Sequence, residues 1–186
     1  MKQLKLKNIA ELSAGFYRKP ERLGNVHYIQ MRDIDNDGKI RNDLKPTINW
    51  DKEKNFLNEN DVLFNAKGSK NTTIVYNGIY ERAIPSSSFI VLKNIDRKMV
   101  LPQYLAWFLN HQKSQTWFQL HAKGSGIPSL SKALLSEFEV EVPNLTTQQQ
   151  IVELNQLWIS KKQLTTKIVE LNEKVLNQKL LNAIKK

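Results

Sequence analysis

Cysteine is absent from the 186-residue chain, which excludes disulfides, thiolate-bound zinc and cysteine nucleophiles. Long hydrophobic runs are missing too. The longest is Tyr104-Leu105-Ala106-Trp107-Phe108-Leu109, far short of what crossing a bilayer needs, so no membrane association is expected. The N-terminus carries no charged-then-apolar leader with a small-residue cleavage site, and the expected location is the cytoplasm. Histidine is scarce: His27, His111 and His121 fall in no zinc-ligand spacing. A Gly-x-Ser-x-Gly elbow, a Gly-x-x-x-x-Gly-Lys-Ser/Thr phosphate loop and the Asn-Pro-Pro-aromatic run of amino-methyltransferases are all lacking. No catalytic centre and no bound cofactor are expected.

Charge of one sign is abundant. Lys and Arg number 28 against 18 Asp and Glu, a net +10, in a chain that is 40% hydrophobic and 25% charged. Such a basic protein most often has a polyanionic partner, and nucleic acid leads.

The chain divides near residue 145. Every proline and glycine lies before it, in short apolar segments broken by turn signals. That texture predicts a mixed α/β globular domain over residues 1–145. Strands are expected at Val26–Met31, Val62–Phe64, Thr72–Tyr76, Phe89–Leu92 and Phe138–Val142. One helix is expected from Pro102 to about His121, stopping at Gly124, and a short one from Ser131 to Ser136. Residues 146–186 contain no Gly, Pro, Phe or Tyr and read as one long helix, with Thr147 and Gln150 at capping-box spacing. Leu154, Leu157, Leu164, Ile168, Leu171 and Val175 form a heptad seam broken at Lys161, which then drifts to Leu176, Leu180 and Ile184. A helix that long extends about 60 Å. Its stripe calls for a partner helix.

Two patterns suggest other chemistry and are better read structurally. Asp33-Ile34-Asp35-Asn36-Asp37-Gly38-Lys39-Ile40 matches the first eight positions of a calcium loop, but its twelfth is Leu44 and its flanks are strand-like. A tight turn, with Asn36, Asp37 and Gly38 tolerating left-handed backbone, explains it. Glu137, Glu139 and Glu141 fall on one face of the last strand, where a solvent face explains them without a metal. Magnesium-dependent cutting centred on Asp33, Asp35 and Asp37 is the enzymatic rival.

Basic residues grouped with short polar ones carry the positive reading. The groups are Phe16-Tyr17-Arg18-Lys19-Pro20-Glu21-Arg22, Lys67-Gly68-Ser69-Lys70-Asn71-Thr72 and Ala122-Lys123-Gly124-Ser125-Gly126. Glycine lets backbone approach phosphate, Lys supplies charge, and Ser, Asn and Thr bond phosphates or base edges. Arg18, Lys19, Arg22, Arg32, Lys67, Ser69, Lys70, Asn71, Lys123 and Ser125 are the expected DNA contacts. The tetrapeptide Ala-Lys-Gly-Ser occurs at both Ala66–Ser69 and Ala122–Ser125, too short to establish an internal repeat.

In order along the chain stand Leu6–Gly15, Tyr28-Ile29-Gln30-Met31-Arg32-Asp33-Ile34, Leu57-Asn58-Glu59-Asn60-Asp61-Val62-Leu63-Phe64, Pro102-Gln103-Tyr104-Leu105, Gly126-Ile127-Pro128-Ser129-Leu130 and Pro143–Ile151. This series resembles the specificity subunits of type I restriction-modification systems, with two departures: Asn60 for the usual Gly, and Thr147 for the usual Glu. The resemblance implies a non-catalytic subunit whose recognition domain reads a short half-site on double-stranded DNA. It also implies docking to a methyltransferase subunit that binds S-adenosylmethionine and flips an adenine, and to an ATP- and magnesium-dependent nuclease subunit. Family members usually carry two recognition domains and two helices; one of each is found here. Two copies joined along the Leu154–Val175 seam would rebuild the pair and read a bipartite palindrome. The rival is a coiled-coil assembly protein that binds nucleic acid without reading sequence.

Overall fold

The computed structural model describes residues 2–35 and 37–184. It divides into two compact units, Met1–Gln149 and Gln150–Lys186. The first unit is built on a four-stranded antiparallel sheet in the order β2 (Glu11–Ala14), β7 (Phe89–Lys93), β4 (Val62–Asn65), β5 (Thr73–Val75). Its centre pairs Leu63 with Val91 and Phe64 with Ile90. β4 is buried along its whole length and β7 along all but Lys93, which is why both read as unbroken apolar runs without alternation.

Two smaller sheets flank it. β1 (Lys2–Lys5) runs antiparallel to β8 (Glu139–Val142), and β3 (His27–Ile29) runs parallel to β6 (Ala83–Pro85). The β3–β6 pair separates two apolar clusters by strand alternation. Ile29 and Ala83 face Leu57, Leu63, Ile74, Tyr76 and Phe89, while Val26, Tyr28 and Ile84 face Ile48 and Trp50. A third, aromatic cluster centres on Phe118, which meets Phe64 edge to face at 5.0 Å and Phe138 at a tilt at 4.8 Å between ring centroids. Phe64 is fully buried, and its truncation to Ala would cost about 3–5 kcal/mol.

The helical reading of 102–121 needs correction. Two helices form, α1 (Pro102–Asn110) and α2 (Gln112–His121), parted at His111 in extended backbone with φ −65° and ψ 145°. Polar side chains supply the hydrogen bonds that a continuous helix would have made. Asn110 accepts from the backbone N–H of Thr73 at 2.9 Å and donates to its carbonyl at 2.6 Å, so its amide caps the free edge of β5. His111 Nδ1 accepts from the Lys113 N–H, and Ser114 Oγ donates to the Phe108 carbonyl.

The strand expected over Val26–Met31 is shorter. It ends at Ile29, and Met31–Asp33 forms a 3-10 turn in which the Asp33 carboxylate accepts from the Gln30 N–H at 2.8 Å. Asn60 has φ 72°, the left-handed conformation that glycine would hold at that turn. After α3 (Lys132–Ser136) and β8, α4 runs from Leu145 to Ile184. Its cap is Asn144, whose Oδ1 accepts from the Thr147 N–H at 2.8 Å, and not the Thr147–Gln150 box. Gln148 is fully buried. It accepts from the Leu101 N–H and donates to the carbonyls of Met99 and Pro143, tying the last turn of the first unit to the start of α1.

The second unit continues α4 alone. Leu154, Leu157, Leu164, Ile168, Leu171 and Val175 are all exposed along it, as are Leu176, Leu180, Leu181 and Ile184. Among the described residues, no helix is long and apolar enough to cross a membrane.

Candidate nucleic-acid interface

The two Ala-Lys-Gly-Ser tetrapeptides meet in space. Lys67 and Lys123 each form a β-bridge with Ser129, one on either side. Lys123 and Ser129 exchange N–H···O bonds of 2.9 and 2.8 Å, Gly68 donates to the Pro128 carbonyl at 2.8 Å, and Leu130 donates to that of Ala66 at 2.9 Å. Two inter-strand steps put the Lys67 and Lys123 backbones about 10 Å apart. Both tetrapeptide glycines need left-handed backbone, Gly68 at φ 98° and Gly124 at φ 127°.

Asn65, at the end of β4, shapes the first of these loops. Its side-chain amide is buried and donates to the carbonyls of Lys67 at 2.8 Å and Lys70 at 3.1 Å, closing the turn across its mouth. Lys67, Ser69 and Lys70 are left exposed. Asn71 is not: it is 2% exposed, and its Nδ2 donates to the Asn65 carbonyl at 2.9 Å. Gln115 of α2 then clamps the Asn71 backbone, accepting from its N–H and donating to its carbonyl and to that of Leu109. Asn71 therefore shapes the loop from within, and the structure withdraws it from the surface where the sequence reading set it.

The third basic segment joins through the serine loop Ser86–Ser88. Ser86 bridges Phe16, the Gly15 N–H donates to the Phe89 carbonyl, and Lys67 Nζ lies 3.4 Å from Ser87 Oγ. A Cβ on Gly15 would stand 2.0 Å from the Ser86 carbonyl oxygen, so only glycine permits this approach. Past Phe16, the Arg18 guanidinium lies over the Trp50 ring at 4.7 Å, while Tyr28 Oη donates to the Phe16 carbonyl. Lys19 and Arg22 are exposed on the stretch that follows, held by Glu21 and Asn25 N–H bonds to the Thr47 and Ile48 carbonyls. Arg32 is exposed in the 3-10 turn beyond β3, at the strand end where the Ser86 N–H donates to the Ile29 carbonyl. Lys123 and Ser125 are exposed.

Sequence reasoning missed Asn65, Gln115 and the serine loop. The signal for the last was present, as three consecutive serines between two apolar runs. Asn65 was marked only by its place between an apolar strand and a Lys-Gly-Ser turn.

Asp35, Glu137 and Glu141 have structural partners. Asp35 Oδ1 accepts from the Asp37 and Lys39 N–H groups at 2.9 and 2.8 Å, and Gly38 has φ 78°, the geometry of a tight turn; Asn36 lies outside the described residues. Glu137 is not on the last strand but at the C-terminal cap of α3. There it pairs with Lys5 and Lys7, whose ammonium groups hold its pKa down at about 2. Glu141 pairs with Lys113 at 2.8 Å. Among the described residues, no three His, Asp or Glu gather as a metal ion would need.

The sequence profile of the type I restriction modification DNA specificity domain matches residues 1–177. No curated protein matches the chain. Among solved structures, the type I restriction-modification S subunit from M. genitalium is 16% identical with a TM-score of 0.60, covering 93% of this chain and 42% of that one. A chain from a structure of type I R-M complex assembly and conformational transition is 15% identical with a TM-score of 0.71, covering 97% and 44%. The HsdS subunit from Thermoanaerobacter tengcongensis is 16% identical with a TM-score of 0.58, covering 87% and 37%. The chain thus spans less than half of the length of each.

Proposed function

The chain belongs to the type I restriction-modification DNA specificity family, and from that premise we propose that it is the sequence-reading part of a methyltransferase–nuclease assembly. The convergence of three basic loops around Ser86–Ser88 and Ser129 carries the reading. It gathers Arg18, Lys67, Lys70 and Lys123 with exposed serines and glycine-lined backbone, the mixture that phosphate positioning and base-edge contact require. The lysines and arginines set register and salt dependence, while short polar side chains between them meet base edges.

In this reading the chain is not itself an enzyme. A separate methyltransferase subunit binds S-adenosylmethionine and acts on a flipped adenine, and a nuclease subunit binds ATP and magnesium. The exposed seam Leu154–Val175 pairs with the same seam of a second copy, because a stripe of six large apolar side chains needs an apolar partner. Two antiparallel copies present two identical recognition units, and the helix pair sets the gap between their half-sites.

The test is selection from randomised duplex DNA, with the full chain co-purified with the methyltransferase of its own system. Two short inverted half-sites across a fixed gap are expected. Two unlike half-sites would keep the reading role and replace the homodimer by a pair with a different chain. Salt-sensitive binding with no enriched sequence would overturn the proposal in favour of a coiled-coil assembly protein.

A further inference from the structure

The basic loops carry apolar side chains that the fold leaves in water. Ile127 is 71% exposed, Tyr17 79% and Leu23 82%, and each stands within four residues of a basic side chain in one of the converging segments. Chain flexibility does not account for Ile127. The Lys123–Ser129 exchange of hydrogen bonds closes its loop, and the Gly68 N–H grips the neighbouring Pro128 carbonyl. Gly124 packs so tightly that a Cβ there would lie 2.8 Å from the Ile127 carbonyl oxygen. The Ile127 side chain is therefore held out on a fixed tip, on the loop that carries Lys123 and Ser125 and that bridges to Lys67 through Ser129.

An isoleucine has no donor or acceptor and gains nothing from phosphate. Of the groups on the edges of a DNA duplex, only the thymine C5-methyl is apolar, and it lies in the major groove. We propose that Ile127 is a specificity-determining residue that packs on a thymine methyl of the half-site, positioned by the flanking lysines. This rests on the sequence-reading role proposed above and goes further by assigning one residue to one base feature.

The experiment replaces each thymine of the selected duplex by uracil, one at a time, and measures binding by the wild-type complex and by Ile127→Ser. At 71% exposure the substitution leaves folding intact, which a thermal melt verifies, and Ile127→Val serves as the conservative rescue. In the wild type, uracil at one position is expected to weaken binding about fourfold, the effect of one methyl returned to water. Ile127→Ser should lose that position's methyl dependence and keep every other, while Ile127→Val should retain it. Identical uracil responses in wild type and Ile127→Ser would overturn the proposal, as would a selected site without thymine. Loss of the methyltransferase complex in Ile127→Ser, with DNA preference unchanged, would overturn it and make the tip a protein contact. A selection that enriches no site would remove the reading role itself, and this proposal with it.

Discussion

Replacing Asn65 tests whether the Lys67–Lys70 loop is held by one buried amide. Its Nδ2 donates to the Lys67 and Lys70 carbonyls at 2.8 and 3.1 Å, and the residue is 5% exposed. Asn65→Ala removes both bonds. At about 1 kcal/mol net each, and with the two carbonyls regaining some water at the loop surface, the loss should be about 2 kcal/mol. For a chain of this length that lowers Tm by about 4–8 °C. Asn65→Asp is nearly isosteric, so packing is preserved, yet it turns a donor into an acceptor aimed at two carbonyl oxygens. It should therefore be less stable than the alanine variant at pH 7, by about a further 1 kcal/mol. Burial and the two carbonyls favour the protonated acid, so the introduced carboxyl has a raised folded-state pKa. Its protonated form is favoured below the unfolded-state value of about 4, and the handicap grows as pH rises through the folded pKa. Urea denaturation followed by tryptophan fluorescence at pH 7 and near pH 4 measures both effects. Wild-type stability of Asn65→Asp at pH 7, or a deficit that does not shrink on acidification, would refute the reasoning.

Three further outcomes are expected. Lys70→Ala and Lys123→Ala should each lower the slope of log affinity against log salt by about one, and an unchanged slope removes that residue from the phosphate contacts. Gly15→Ala, whose Cβ would stand 2.0 Å from a backbone oxygen of Ser86, should cost about 3 kcal/mol and disturb the serine loop; a denaturation midpoint equal to wild type would refute the close approach. Tyr76 and Tyr104 are pushed up to about 12, chiefly by burial, with Tyr104 further raised by Glu141. Because the neutral form is the one the fold favours, their contribution is complete below pH 10 and is lost as pH rises toward 12. Tyrosinate absorbance read beside circular dichroism should show two tyrosines ionising only in that window together with loss of fold, and all five titrating near pH 10 with the fold intact would refute it.

Much of the architecture was legible because it depends on local properties. The runs at Val62–Phe64 and Phe89–Leu92 are too short and apolar to be anything but buried strands between turn signals, and they form the sheet's central pair. The glycine- and proline-free tail with its apolar stripe can only be a long helix. Strands β1, β2 and β6 were not legible. Lys2–Lys5 carries one leucine, and its strand exists because Leu4 pairs with Val140 far along the chain. The break at His111 likewise depends on Thr73, whose backbone claims the Asn110 amide in place of continued helix.

At the candidate site the division is the same. Sequence alone determined which side chains are available: lysines beside glycine and serine, in a basic chain without catalytic or metal-binding groups of recognisable spacing. Only the tertiary structure decided which of them face water together. It brought two separate Ala-Lys-Gly-Ser segments to opposite sides of Ser129, turned Asn71 inward onto Asn65 and Gln115, and held Ile127 outward on a closed tip. The physical reason is that the donors and acceptors of a polar side chain belong to the residue, whereas its partners are chosen by backbone groups that pack beside it from elsewhere in the chain.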